Sequence, residues 1–410
     1  MPNVKPFKAF HFNTSVVKDI ASVAIPPYDV IKQEEADKYL SKSPYNFAHI
    51  LLPKQSQEDY SGASKTIQDW FSKNIFVEEK TPGFYLYQQT FEYEGVRHRR
   101  NTLMCTVEIS EYSQKQILPH ENTYGQFKED RLQILRKTKC NLSHVFGMVK
   151  DSEGFLQSLY EKVSFETPLI KTKTDDGIEQ IVWKISEEDI APIENFFKDK
   201  SLYILDGHHR FESSRLYAKE QKAMGDHKRP ESQMLFAVVN GFDPALLVLP
   251  THRALKKINS DFKMTDLEPY FSVETCEIKA LKNFVKQADK QNRMGLYYAG
   301  GYYLLTPKSG SFSKIDASSS LSKLAVVWSD DLVLAELFKI PQAEKTSWIS
   351  YEKEAETVLK DIKKYTAVIF HAPTPVEQVM EVADEGKFMP QKSTFFYPKL
   401  TAGLIMRRLS

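Results

Sequence analysis

A four-residue apolar run, Leu202-Tyr203-Ile204-Leu205, stops at Asp206-Gly207-His208-His209-Arg210, and an amphipathic stretch, Phe211 to Tyr217, follows at once. The pattern predicts a buried strand that turns directly into a helix. A helix start offers unpaired N–H groups and the positive end of a dipole, which together seat an anion such as phosphate. Gly207 lets the backbone take a positive φ or come close to a ligand. Read alone, the pentapeptide has two meanings. Asp206 caps the helix and Arg210 pairs with a core carboxylate, or Asp206 serves as a base or magnesium ligand while His208, His209 and Arg210 neutralise a phosphoryl group.

Around this junction the pattern is that of an α+β chain. Phe84 to Tyr93 and Arg97 to Ile109 flank Glu94-Gly95 and predict an antiparallel hairpin. Glu34 to Leu40, Tyr60 to Phe71 and Val376 to Ala383 read as helices, the last suited to a cap at Gly386. Met234 to Val239 and Leu246 to Leu249 read as strands. Pro26-Pro27 makes a rigid loop that presents Tyr28 and Asp29. At 410 residues the chain exceeds one core, so several domains are expected.

Composition excludes some classes of function. Lys and Arg total 55 against 54 acidic residues, a net charge of +1, which argues against nucleic acid or an anionic membrane as partner. No window reaches the roughly 20 apolar residues of a membrane span. Met1 to Ile20 mixes Lys, His and Asp with apolar residues, unlike a secretory signal. Cys105, Cys140 and Cys276 stand singly, which fits neither a disulfide framework nor a paired-cysteine metal site. A soluble cytoplasmic protein is the expectation.

Three further clusters carry reactive groups. In Pro119-His120-Glu121-Asn122-Thr123, Glu121 is either a helix cap or a general base or metal ligand, and the helix after it sets Lys128 and Arg131 one turn apart. Thr251-His252-Arg253 ends a short strand, a place where His and Arg serve structure or clamp an anion. Lys392-Ser393-Thr394 looks like the end of a Walker phosphate loop but lacks its glycines; the basic, aromatic stretch around it binds an anion or seals a domain edge. Zinc on His208 and His209 is disfavoured, because adjacent His side chains point apart and no Cys is near.

The motifs together resemble a bacterial and archaeal family named as domain of unknown function 1015, DUF1015. The resemblance runs almost end to end, through Pro26 to Val30, Asn46 to Ile50, Pro119 to Thr123, Asp130-Arg131, Asp206 to Arg210, Pro250 to Arg253 and Met389 to Lys399. Within it, the Pro119-His120-Glu121 and Asp206-to-Arg210 motifs are similar to those of free-serine kinases of the ParB/sulfiredoxin-like fold. That resemblance implies mixed sheets with helices in three parts: an N-terminal α+β domain over 1–115, a ParB/sulfiredoxin-like catalytic core over 116–257 and a C-terminal α+β domain over 258–410.

It also implies a magnesium-dependent kinase that phosphorylates the hydroxyl of L-serine from ATP, ADP or pyrophosphate. Glu121 would be the base. Asp206 would hold magnesium or help orient the nucleophile, and His208, His209 and Arg210 would balance charge on the transferred group. His120, Asn122, Thr123, Lys128, Arg131, Gly207, Thr251, His252, Arg253, Lys392, Ser393 and Thr394 would bind phosphate or substrate. The alternatives are a regulatory module that binds nucleotide or phosphate without turnover and a ParB-like DNA-associated protein. Near-neutral charge and the lack of a basic helix-turn-helix argue against the second.

Overall fold

The computed structural model describes residues 2–52, 60–121, 125–258 and 261–409, with the side chains of Gln33, Gly125, Gln126 and Phe127 left out of that description. Among them the architecture is α+β with mixed sheets, as the motifs imply. The chain forms two compact units, one of Met1–Leu118, Thr123–Leu246 and Pro398–Ser410, the other of Pro119–Asn122 and Leu247–Tyr397.

The first unit is built on a nine-stranded sheet. Its centre is the predicted hairpin, Tyr85–Tyr93 paired antiparallel with Val96–Glu108. Glu94 and Gly95 both take positive φ, 49° and 77°, as a two-residue loop between right-twisted strands demands. From Val96–Glu108 the sheet continues antiparallel to Gln233–Asn240, which runs parallel to Val145–Val149. Val145–Val149 pairs antiparallel with Leu202–Asp206, and the short strand Ile117–Leu118 lies parallel at that edge. On the other side Tyr85–Tyr93 is followed by Glu179–Lys184 and Ile170–Lys173.

One apolar core, with Leu86, Leu103, Phe197, Ile204, Phe211 and Phe236 among its members, packs the helices Phe155–Val163, Ile190–Phe196 and His208–Glu220 onto this sheet. A four-stranded antiparallel sheet joins Phe76–Glu78, Ala9–Phe12, Met406–Arg408 and Cys140–Asn141. It brings the C-terminal residues back to the first unit.

The second unit carries a six-stranded antiparallel sheet in the order Phe271–Thr275, Gly301–Pro307, Met294–Tyr298, Ala367–His371, His252–Leu255 and Ile349–Glu352. Leu247–Leu249 pairs separately with Phe395–Tyr397. The helix Val376–Asp384 ends as expected: Gly386 sits at φ 69° and the Lys387 N–H reaches back to Val382 O.

The division expected at 115/116 and 257/258 is not the one the fold makes. Strands at 85–108 share a sheet with strands at 145–149, 179–184, 202–206 and 233–240, so no boundary falls at 115. The excursion at Pro119–Asn122 and the return at Pro398 interleave the two units along the chain. Among the described residues no helix is long and apolar enough to cross a membrane.

Candidate functional site

The strand Leu202–Asp206 feeds the helix His208–Glu220 through Gly207 alone. Gly207 takes φ 91°, the left-handed region that costs other residues about 1–2 kcal/mol. A Cβ there would lie 2.9 Å from Arg210 Nε, because the Arg210 side chain folds back over the turn. Sheet register shifts between Ile204 and Asp206, a bulge that re-aims Asp206 at the end of its strand.

Asp206 holds two cations. The Arg210 guanidinium donates to Oδ2 and the Lys399 ammonium to Oδ1. Burial alone would raise this carboxyl, but Lys399 first and Arg210 second outweigh it and hold it well below the usual carboxylate range. Arg210 is itself buried and also donates to His144 O. Burial, and then Arg210, push His144 down to about 3, so its imidazole is neutral. His208 is buried beside Asp206, while His209 is partly exposed one residue on.

Lys399 is placed by the central hairpin. Fully buried Arg100 donates to Pro398 O at 2.6 Å, Gln89 Nε2 donates to Lys399 O at 3.1 Å, and the Thr401 N–H reaches Tyr87 Oη at 3.3 Å. Burial lowers Arg100 to about 10, which leaves it a cation at neutral pH.

The Pro26-Pro27 loop joins this cluster. Tyr28 is pushed up to about 12, first by burial and then by Asp29, against the pull of Arg131 and Arg210; Asp206 also acts on it. The Arg131 guanidinium stacks on the Tyr28 ring, 3.9 Å from its centroid, and Arg131 Nε donates to Asp130 at 2.6 Å. Tyr60 Oη donates to the other Asp130 oxygen at 2.6 Å. Lys128, on the same helix, Gly125–Thr138, offers its backbone carbonyl to Ser213 Oγ at 2.8 Å, tying that helix to His208–Glu220. The first unit therefore gathers Gly207, His208, His209, Arg210, Lys128 and Arg131 of the sequence-predicted residues. It adds Tyr28, Lys399 and His144.

His120 and Glu121 belong to the second unit, where they join the Lys392 turn. Glu121 Oε1 accepts the Lys392 N–H at 2.8 Å, and His120 Nε2 lies 3.1 Å from Thr394 Oγ1. Met389 N–H donates to His120 O, and Glu121 bridges Met389 in parallel register. Lys392 accepts a positive φ of 61° here, and Ser393 Oγ turns inward to Pro390 O. Two clusters that looked separate in sequence are one. Asn122 and Thr123 lie outside the described residues.

Thr251, His252 and Arg253 are interior residues of the second unit. Arg253 is fully buried, pairs with Asp330 at 3.0–3.1 Å and donates to Thr251 O at 2.6 Å; Lys345 holds the other Asp330 oxygen at 2.7 Å. His252 Nδ1 accepts the His371 N–H at 3.2 Å. Burial, and then Arg253, lower His252 to about 3.

Both Asp206 oxygens take part in the ion pairs of this fold. Among the described residues no group of three or more His, Cys, Asp or Glu is disposed to hold a metal.

What the first-unit loop can do is bind an anion. It offers a helix start, a glycine that opens the backbone, and a cluster of Arg, Lys and His around one carboxylate.

A family model described as a protein of unknown function (DUF1015) matches residues 4–329. The chain belongs to the DUF1015 family. No curated protein matches this DUF1015 chain. Solved structures resemble it at low levels. A conserved hypothetical protein from Pyrococcus furiosus is 13% identical with a TM-score of 0.37, covering 75% of this chain and 95% of its own. A free serine kinase in complex with AMP is 12% identical with a TM-score of 0.38, covering 72% and 86%. SbnI with C-terminal truncation from Staphylococcus aureus is 10% identical with a TM-score of 0.36, covering 73% and 85%. Likeness of this order transfers no activity to the DUF1015 chain.

Proposed function

We propose that the chain is a small-molecule phosphotransferase that moves a phosphoryl group from ATP, ADP or pyrophosphate to the hydroxyl of free L-serine. The observation that carries the reading is the Asp206–Arg210 loop, a strand-to-helix turn through left-handed Gly207 with Arg210, His208 and Lys399 around it. Phosphoryl transfer asks a protein mainly for positioning and for charge stabilisation of the transferred group, and this loop is equipped for both.

In this reading the serine oxygen forms the new bond to phosphorus, the bond to the donor's bridging oxygen breaks, and the hydroxyl proton passes to a carboxylate. The motif resemblance gives that last role to Glu121. Asp206 acts through its partners: by holding Arg210 and Lys399 it fixes the cations that meet the phosphates.

A second reading rests on the same carboxylate. Asp206 is neutralised within the fold, as suits a module that binds phosphate without turnover. One experiment separates the two. The purified chain is incubated with L-serine, magnesium and each donor in turn, and O-phosphoserine is followed by phosphorus NMR. The kinase reading expects product with at least one donor and its loss in Glu121→Gln with donor affinity retained. A protein that binds donor but forms no phosphoserine supports the module instead.

A further inference from the structure

A cleft of about 450 Å³ opens in the first unit, away in sequence from the Asp206 loop. Its floor is the central hairpin. On the helix-bearing face, apolar Leu86 and Leu103 give way one step along their strands to Gln88 and Asn101, which are register partners. Gln88 Nε2 donates to Asn101 Oδ1 at 2.8 Å, so the two amides are mutually fixed, and Arg99 lies beyond them.

One wall is the helix Phe155–Val163, which supplies Gln157, Tyr160 and Glu161. The other is the turn after Gln233–Asn240. There Asn240 Oδ1 accepts the Phe242 N–H at 3.1 Å and the Asp151 N–H at 3.3 Å, and Asp243 Oδ1 accepts the Ala245 N–H at 2.8 Å. The turn is thus pinned from inside, yet it leaves the Phe242 ring half exposed at the rim.

One feature of this cleft lacks a structural reason. Tyr160 is 4% exposed, and its hydroxyl is buried with no hydrogen-bond partner, although a buried phenol ordinarily finds one. Burial first and Asp243 second raise the Tyr160 phenol, and burial raises the Asp243 carboxyl in turn. A donor without an acceptor and a partly buried carboxylate thus line one cleft. The charge balance, Arg99 against Glu161 and Asp243, does not favour an anion. The amides, carboxylates and phenol call for a ligand rich in groups that both donate and accept. The bare ring of Phe242 calls for a flat face to lie on it.

We propose that this cleft binds a neutral polyhydroxylated ring, either a monosaccharide or the ribose of a nucleoside. Ligand hydroxyls donate to Asp243 and Glu161 and accept from the Gln88–Asn101 pair and from Tyr160, while the ring packs on Phe242. The site stands independently of the phosphotransfer reading, since none of its residues belongs to the Asp206–Arg210 loop.

The test is titration of the full chain with D-glucose, D-ribose and adenosine, followed by saturation-transfer-difference NMR and calorimetry. Saturable millimolar or tighter binding is expected for at least one, weakened tenfold or more in Asp243→Asn and in Phe242→Ala. Phe242 is half exposed, so its variant keeps the fold even where Asp243→Asn does not; circular dichroism checks both. Binding of either sugar marks a monosaccharide site, and binding of adenosine alone marks a nucleoside site. The proposal is overturned if none of the three binds, or if binding survives Phe242→Ala unchanged.

Discussion

Lys399 donates to Asp206 across 193 residues of sequence, and Arg210 takes the carboxylate's other oxygen. The pair ties the C-terminal return of the chain to the strand-to-helix turn that seats the proposed phosphate. Each partner is mostly buried, with side-chain exposures of 14% and 16%. Removing Lys399 leaves the buried carboxylate with Arg210 alone.

Lys399→Met is therefore expected to destabilise the first unit by about 3 kcal/mol, in the range for breaking a buried ion pair. Urea unfolding followed by tryptophan fluorescence measures it. Lys399→Met combined with Asp206→Asn should not recover the loss, because it leaves buried Arg210 without its carboxylate. A loss within about 0.5 kcal/mol for the single variant would mean that the pair is solvated and adds little.

Gly207→Ala should cost about 1–2 kcal/mol from the left-handed backbone alone. The added Cβ also meets Arg210 Nε at 2.9 Å, so the guanidinium must shift from Asp206. Thermal unfolding reports the first effect. An alanine variant as stable as the parent would show that the turn relaxes without strain.

Stability should fall as pH is lowered, in two windows. His144 and His252 each have folded values near 3, against about 6.5 when unfolded. The unfolded chain takes up those protons first, so stability is lost from about pH 6.5 downward, by at most about 1.4 kcal/mol per pH unit for each histidine. Asp206 has a depressed folded value. Its contribution is present above the unfolded value of about 4 and is lost only as pH falls below that. Urea midpoints between pH 7 and 5 should thus depend less on pH in His144→Gln, while Asp206→Asn leaves that range unaltered. Equal slopes in parent and His144→Gln would contradict a neutral buried imidazole.

In the second unit Asp330→Ala should be strongly destabilising, by about 3–5 kcal/mol, since it leaves buried Arg253 without its carboxylate. Arg253→Met with Asp330→Leu should be far milder, as a buried pair is replaced by apolar volume. Neither change should alter pyrophosphate affinity once folding is verified. An Arg253→Met chain that is folded but no longer binds pyrophosphate would mark Arg253 as a ligand clamp.

Much of this was legible because it is local. The hairpin shows in alternation and in Glu94-Gly95, and the strand-to-helix turn in an apolar run ending at Asp206-Gly207. The rigid loop presenting Tyr28 was visible too, but not what Tyr28 touches: its Arg131 partner lies on a helix a hundred residues on. Lys399 reads as one lysine in a basic, aromatic tail. Only the Arg100 and Gln89 bonds to the backbone at 398–399 aim it at Asp206. The Asp330 partner of Arg253 is likewise silent in sequence, since a guanidinium looks the same whether it meets a ligand or a carboxylate. The interleaving of the two units is set by long-range pairing and leaves no compositional mark at 119 or 398.

The central claim is that the turn from Asp206 to Arg210 seats phosphate. Calorimetric titration of pyrophosphate into the parent chain and into Gly207→Ala, at a temperature where circular dichroism shows both folded, tests it most directly. The account predicts saturable binding to the parent and at least a tenfold loss of affinity in the variant. Absence of binding to the parent, or equal affinity in the two, would contradict it.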